Sequence, residues 1–419
     1  MKKTTAALLA FLMLFSLCAC GAAEAPAAPA PVESPPQPMA ELRQADASVE
    51  TGVRMNGLWS EAAARYEAMT GSSVTESAPE DATLLIADAE TLLARAGSLA
   101  ELGESAAYAL LNERSYALRD SEGRIIGLPL ELQSVAVAVN TELLEKAGYS
   151  LDALDGFKAL RRFSTSVDNR KDELGFFAWA PMALADGSGL KLTQYLFNMP
   201  MYAELQQSGS FTGKYVGDYR DAHFKDLFTV MLDYGTKSGK DCNTVSDAES
   251  LEVFARGEAL FCLMGSWELE ALRNAGFPME QLAFVPAWMG LEGEQDWGFV
   301  TDATLFAAVR AGEPAEEHAA EDFLCWALSD SESQLLLADL YEGMPYEGFL
   351  CSNPLLAQNA ANDDAGLTAV PRLLRQLEKP EEWDSFFLSS LRTISPDNVV
   401  WRWQVTVWAL VDRWNGKKY

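Results

Sequence analysis

The chain has 419 residues, 49% of them hydrophobic and 10% aromatic, with 32 Lys and Arg against 61 Asp and Glu for a net charge of −29. So acidic a balance, without any clustered basic stripe, argues against a nucleic-acid partner, which needs Lys and Arg to displace phosphate counterions. With only His223 and His318, and neither a CxxC nor an HExxH motif, no histidine-built metal site and no cofactor are expected.

The amino terminus reads as an export signal. Lys2 and Lys3 precede the uncharged run Thr4 to Ala19, which is too short to span a bilayer, and Leu17-Cys18-Ala19-Cys20-Gly21 has the pattern of a bacterial lipoprotein signal. Cleavage before Cys20 removes residues 1–19 and with them Lys2 and Lys3, taking the net charge from −29 to −31. Acyl chains such as palmitate on Cys20 then hold the protein on the extracellular face of the cell membrane without a spanning helix. Residues 20–45 form an Ala- and Pro-rich linker carrying Pro26, Pro29, Pro31, Pro35, Pro36 and Pro38. Such linkers extend by about 3.1 Å per residue, so this one is a stalk and not a domain.

About 370 residues follow, and at roughly 100–200 residues per domain two domains are expected. Leu58 to Met69 has helical apolar spacing and stops at Gly71; Ala82 to Ala87 suits a buried strand. Asp88 follows that strand directly, either at a ligand crevice or as the N-cap of Ala89 to Arg95. Ala117 to Arg119 and Arg124 to Leu128 flank the turn Asp120-Ser121-Glu122-Gly123 and read as a hairpin that Pro129 halts. Ser134 to Val139 alternates like a strand, and Asn140 caps the helix Thr141 to Ala147, which ends at Gly148. Ser246 with Glu249 and Ser331 with Gln334 form capping boxes ahead of Leu251 to Arg256 and Leu335 to Leu340. Glu258 to Met264 and Thr304 to Val309 are strand-like, and Gly265-Ser266-Trp267 is a turn. Four scattered cysteines, Cys242, Cys262, Cys325 and Cys351, are too few for a disulfide framework and are expected as free thiols, with three pairings formally open.

Three blocks in order resemble the family 1 extracellular solute-binding proteins, the capture subunits of ABC importers typified by maltose-binding protein. Gly123-Arg124-Ile125-Ile126-Gly127-Leu128-Pro129, then Asn140, then Leu143-Leu144-Glu145-Lys146-Ala147-Gly148 resembles the central signature. Phe254-Ala255-Arg256-Gly257-Glu258-Ala259, Gly265-Ser266-Trp267 and Phe284-Val285-Pro286 form the second block; Glu321-Asp322-Phe323-Leu324 with Ser329 to Gln334 forms the third. The resemblance implies an α/β, two-lobed periplasmic-binding-protein-like (type II) fold, with hinge strands and a ligand cleft between the lobes. It puts lobe one at 46–130 and 286–313, and lobe two at 131–285 and 314–419. Asp46 to Met55 is charged and irregular where relatives carry a clear apolar first strand, so lobe one is expected to be trimmed.

The same resemblance implies the site. Gln133, four residues after Pro129, matches a ligand-reaching position, and its amide can both donate to and accept from a polyol. Asp88 matches an acidic contact. Pro181 with Asp186-Gly187 makes Phe177 and Trp179 cleft candidates, with core packing as the alternative. Trp267 matches a stacking tryptophan whose flat face can cover a sugar ring. Trp403, thirteen before Gly416, matches the last aromatic contact; Trp59 and Trp297 read more readily as core or surface aromatics. The implied protein is a monomeric, non-catalytic binder of a carbohydrate or other small solute, working with ABC permease subunits at the membrane.

Two other classes fit parts of the chain. Ser188-Gly189-Leu190-Lys191 has the SxxK spacing of penicillin-recognising acyltransferases, and Lys237-Ser238-Gly239 resembles their KTG element. The glycines from Gly187 to Gly189 favour a loop over the helix that SxxK needs, however, and no S-x-N lies between the two. A lipoprotein carbohydrate hydrolase would need two carboxylates about 5–9.5 Å apart, which the acidic residues permit but do not mark. A solute-binding sensor subunit would share the fold and differ in its partner.

Overall fold

The longest strand is Ile125–Asn140, a largely apolar run interrupted by Glu131, Gln133 and Ser134, and it organises the sheet. The computed structural model describes residues 52–57, 59–208, 221–349, 351–371 and 380–394, with Val405, Ala409 and Asp412, all in the unit Asp46–Tyr419. The signal, the linker with Cys20, and Trp403 lie outside the described residues.

In chain order the strands are β1 (Val53–Met55), β2 (Val74–Glu76), β3 (Leu84–Ala87), β4 (Leu118–Arg119), β5 (Ile125–Asn140), β6 (Phe177–Trp179), β7 (Ala259–Gly265), β8 (Leu282–Val285), β9 (Trp297–Val309) and β10 (Thr368–Pro371). They join in the order β2-β1-β3-β9-β5-β7-β6, with β4 and β8 also on β5 and β10 on β9. The central ladder is antiparallel: β9 pairs β5 from Leu128↔Ala307 to Val135↔Val300, and β5 continues against β7 and β8 from Val135 to Asn140.

β5 and β9 each serve two apolar cores. Leu128 and Leu130 pack with Trp59, Tyr66, Ala307 and Val309, whereas Val135 and Val137 pack with Trp179, Tyr195, Phe261, Trp297 and Val300. Neighbouring side chains on β5 point the other way, Ala136 and Ala138 into a third cluster and Ile126 and Leu132 into a fourth. A strand covered on both faces has to be apolar at both parities. Glu131 and Gln133 are the two half-exposed exceptions on β5.

The predicted local signals mostly hold. The first helix is Ser60–Thr70, and Gly71 ends it at φ 79°, a left-handed conformation that a side chain would strain. Asn140 accepts from the Leu143 amide at 3.1 Å, and Ser246 from the Glu249 amide at 3.1 Å. The second predicted cap shifts by one residue: Asp330, not Ser331, accepts from the Ser333 amide and opens the helix Ser331–Ala338. The irregular start still supplies β1, which pairs with both β2 and β3.

Pro129 does not halt the strand, contrary to expectation. In an antiparallel ladder a residue's N–H and C=O point to the same side. The Pro129 carbonyl accepts the Tyr346 hydroxyl at 2.8 Å, and β4 pairs only as far as Gly127, so the missing N–H costs no ladder bond.

The packing also departs from the expected lobes. Phe323, Leu324 and Leu328 of the helix Pro314–Ser329, and Leu337 of the next helix, lie in the core of Trp59 and Tyr66 and not with 131–285. Conversely Met289 and Trp297, expected in lobe one, lie in the core of Val137 and Trp179, where Val285 also packs as expected. The reason is the path of β9. The chain stays beside β8 until Trp297, crosses along β9, and packs the next two helices close to its exit at Val309, as short connections require.

The four cysteines are free thiols, Cys242 and Cys262 buried, Cys325 and Cys351 half-buried. Burial pushes the Cys242 thiol up to about 11 and the Cys262 thiol up to about 12. Because the thiolate is the reacting form, a maleimide or iodoacetamide pulse at pH 8 is expected to label Cys325 and Cys351 well before Cys242 and Cys262. Peptide mass spectrometry reads the order, and rapid labelling of Cys262 in the folded protein would contradict it.

Candidate functional site

Where β5 passes from one core to the other, its two half-exposed polar side chains meet aromatic residues from both sides. Glu131 and Gln133 flank an irregularity in the register of β5 on β9, and their side chains meet there. Gln133 Nε2 donates to Glu131 Oε1 at 3.2 Å, and Gln133 Oε1 accepts the Tyr195 hydroxyl at 3.3 Å. Tyr195 comes from a π-helical segment, Lys191–Leu196. Its ring packs on Trp267, with centroids 5.5 Å apart and planes at 46°. Trp267 is half-buried, so part of its side chain remains accessible.

The turn carrying Trp267 is tightly held. The Gly265 amide donates to Glu268 Oε2 at 2.7 Å, closing the single turn Ser266–Glu268. Ser266 Oγ accepts from the Ser134 amide of β5 at 3.2 Å, and the Ser266 carbonyl accepts from Asn353 Nδ2 at 3.0 Å. A Cβ at Gly265 would lie 2.5 Å from the Trp267 indole, so only glycine lets the ring fold back over the strand end.

The other flank is built from the first core. Trp59 Nε1 donates to the Tyr341 hydroxyl at 2.8 Å, with their rings edge-on at 6.2 Å. Burial pushes the Tyr341 phenol up; the Trp59 N–H works against that rise and the nearby charge of Glu131 adds to it, so the hydroxyl stays neutral. Asn353 joins the flanks, since the same Nδ2 also donates to Glu342 Oε2 at 2.7 Å, and the Glu342 carbonyl accepts from the Leu132 amide of β5. Half-buried Glu131, Gln133, Tyr341 and Trp267 thus gather around Tyr195, which is itself fully buried and backs the patch from the core, a set suited to a ligand with many hydroxyls and an apolar face.

The predicted residues separate. Gln133 and Trp267 come together through Tyr195. Asp88 is exposed and caps the helix Ala89–Leu93, its Oδ1 accepting from the Thr91 amide at 2.7 Å. It follows Ala87, which pairs with Phe306 on β9, whereas Gln133 pairs with Asp302. Asp88 therefore stands two strands across from Gln133 and about three residues along β9 from it, roughly 14 Å at the usual strand spacings, outside the patch. Trp179 is core, not cleft: it is 1% exposed, its Nε1 donates to Ser164 Oγ at 2.9 Å, and its ring meets Phe261. Phe177 is half-buried under the Lys171 ammonium, 5.6 Å from the ring centroid. Trp59 and Trp297 are both buried.

Sequence reasoning missed Tyr195, Glu131, Tyr341 and Glu342. Glu131 carried a usable signal, a second polar residue in phase with Gln133 inside an apolar strand. Tyr195 carried none, because its partner lies 62 residues away.

The acyltransferase reading fails on geometry. Gly187 to Gly189 form a loop, and Lys191 is a buried cation whose Nζ binds Glu268 Oε1 and Oε2 at 2.7 and 2.8 Å and Asp247 Oδ1 at 3.0 Å. Burial by itself lowers that ammonium's pKa, but the carboxylates of Glu268 and Asp247 outweigh it and hold Lys191 above its ordinary range. A lysine so held is no general base. The cavity beside it, lined by Trp179, Met182, Lys191, Asp247 and Ser250, is about 20 Å³, which takes a water and not a sugar.

The profile of a family described as bacterial extracellular solute-binding protein matches residues 49–348. The chain belongs to that family. Among solved structures, a family 1 extracellular solute-binding protein from Bifidobacterium longum subsp. infantis aligns with a TM-score of 0.63 at 12% identity, covering 86% of this chain and 99% of that one. Apo RafE from Streptococcus pneumoniae aligns at 0.63 and 14%, covering 88% and 98%; the bacterial solute receptor AcbH aligns at 0.64 and 14%, covering 87% and 97%. At these identities the likeness is one of fold, and it bears out the expected α/β, two-lobed solute-binding architecture. No curated protein matches the sequence. Among the described residues, no helix is long and apolar enough to cross a membrane and no acidic, Cys or His cluster suits a metal ion.

Proposed function

We propose that this solute-binding protein captures a sugar or oligosaccharide between its two lobes and delivers it to the membrane permease of an ABC importer, without catalysis. One observation carries the reading: a half-buried indole, Trp267, beside the half-buried Gln133 amide, both fixed by the buried Tyr195, which packs on the one and bonds the other. Sugars are held by that pairing of an apolar ring surface with fixed hydroxyl partners. Solved neighbours of the same fold are described as RafE in complex with raffinose and as maltose-bound MalE3 from T. maritima, and AcbH as preferring galactopyranose, which supports a carbohydrate here.

In this reading β5 and β9 are hinge strands. The first lobe takes residues 46–130 with the end of β9 and the helices of 314–338; the second takes the rest of 131–300 with 380–394. A sugar shifts the lobes toward closure only by binding the closed form more tightly. Cys20 carries the lipid and the Pro-rich stalk holds the monomeric body near its permease on the extracellular face, raising the local concentration. Asp88, at the lobe-one edge, is left to contact the far end of a longer saccharide.

A thermal-shift screen of maltose, raffinose, chitooligosaccharides and xylooligosaccharides, with polyamines and phosphate alongside, tests the reading. A sugar at a hundred times its Kd is expected to add about 2.7 kcal/mol of stability. Stabilisation by a polyamine or phosphate alone would refute a carbohydrate ligand. Chromatography of the incubated sugar must show it unchanged, since cleavage products would make the protein a hydrolase.

A further inference from the structure

We propose that Lys191 is a positioning residue for the sugar-contacting surface, a buried cation that registers the segment bearing Tyr195 against the turn bearing Trp267; this rests on the proposed carbohydrate function. Lys191 opens the π-helical segment Lys191–Leu196 and is only 4% exposed, in the otherwise apolar or neutral run Leu190 to Phe197. Its ammonium reaches both oxygens of Glu268, itself 7% exposed, and Asp247 beyond it. Glu268 in turn takes the Gly265 amide, so one carboxylate closes the turn Ser266–Glu268 and receives the lysine.

The two elements carry the two rings. Four residues after Lys191, Tyr195 bonds Gln133 and packs on Trp267, the residue immediately before Glu268. A buried ion pair adds little stability over apolar side chains of the same volume, so the consequence of this one is geometric. Apolar packing alone would let the π-helical segment slide against the turn, whereas a Lys bound by two directional hydrogen bonds allows one register. Pre-set rings lose less freedom when a sugar arrives. π-helical turns also recur at functional sites, where the wider turn re-aims a side chain.

The test uses full-length protein labelled with 5-fluorotryptophan. Among its 11 tryptophans, Trp267→Phe and Trp59→Phe assign the two informative ¹⁹F resonances. The double variant Lys191→Met/Glu268→Gln removes both charges together, leaves a side-chain oxygen to accept the Gly265 amide, and leaves only Asp247, whose side chain is 28% exposed, without its cation. In it the Trp267 resonance is expected to shift or broaden while that of Trp59, in the other core, stays in place. By calorimetry, affinity for raffinose or maltotriose, whichever the wild type binds, is expected to fall about tenfold. A Trp267 resonance that does not move in the double variant overturns the proposal, whether or not either sugar binds. Failure of the wild-type protein to bind any saccharide strikes the carbohydrate reading alone, because the ¹⁹F comparison needs no ligand.

Discussion

Trp267→Ala is expected to weaken sugar binding by about 2 kcal/mol, roughly 30-fold in Kd, as truncation of a central aromatic anchor does. The loss comes from the exposed part of the indole, which no other side chain of the patch replaces: Tyr195 lies against it and Tyr341 is engaged with Trp59. Stability is expected to change less than affinity, because Trp267 is half-buried at the margin of its core. Trp179→Ala is the informative contrast. That side chain is 1% exposed and hydrogen-bonded to Ser164, so its removal is expected to cost about 3–5 kcal/mol of folding stability. Calorimetric titration with the sugar identified by the panel, beside urea melts, separates the two. Unchanged affinity in a folded Trp267→Ala protein would remove the indole from the site.

Glu268→Ala is expected to destabilise the fold by about 3–5 kcal/mol, the usual result of taking one partner from a buried ion pair. Lys191 would keep only Asp247, whose side chain is 28% exposed, and the Gly265 amide would lose its acceptor. The size of the effect says little about how much the intact pair contributes; it measures a buried charge left alone. Removing both charges in Lys191→Met/Glu268→Gln is therefore expected to recover most of the loss. Urea denaturation of wild type, single and double variants gives the comparison. A Glu268→Ala protein within about 1 kcal/mol of wild type would mean that water reaches Lys191 and that the pair is not buried in solution.

Local features were legible because their causes are local. Gly71 and Asn140 act within a turn of their own positions, and the largely unbroken apolar character of β5 goes with its burial on both faces. The Gly-Ser-Trp turn was legible for the same reason, since glycine at 265 is what lets the indole lie over its own strand. Pro129 misled, because a proline forbids only the bond that its N–H would have made, and among the described residues β4 pairs no further than Gly127. Trp179 misled as well: a tryptophan at a strand end looks the same whether the space beyond holds a ligand or Ser164 and Phe261.

By itself the sequence determined the net negative charge, much of the order of strands and helices, and the family resemblance, all of which depend on residue types and short spacings. Only the tertiary structure decided which side of β9 each later element packs on, that Tyr195 completes the Gln133 and Trp267 patch, and that Lys191 answers Glu268 from 77 residues away. Burial and charge pairing are properties of neighbours in space. A lysine in an apolar run becomes a fixed cation only once the fold sets two carboxylates against it.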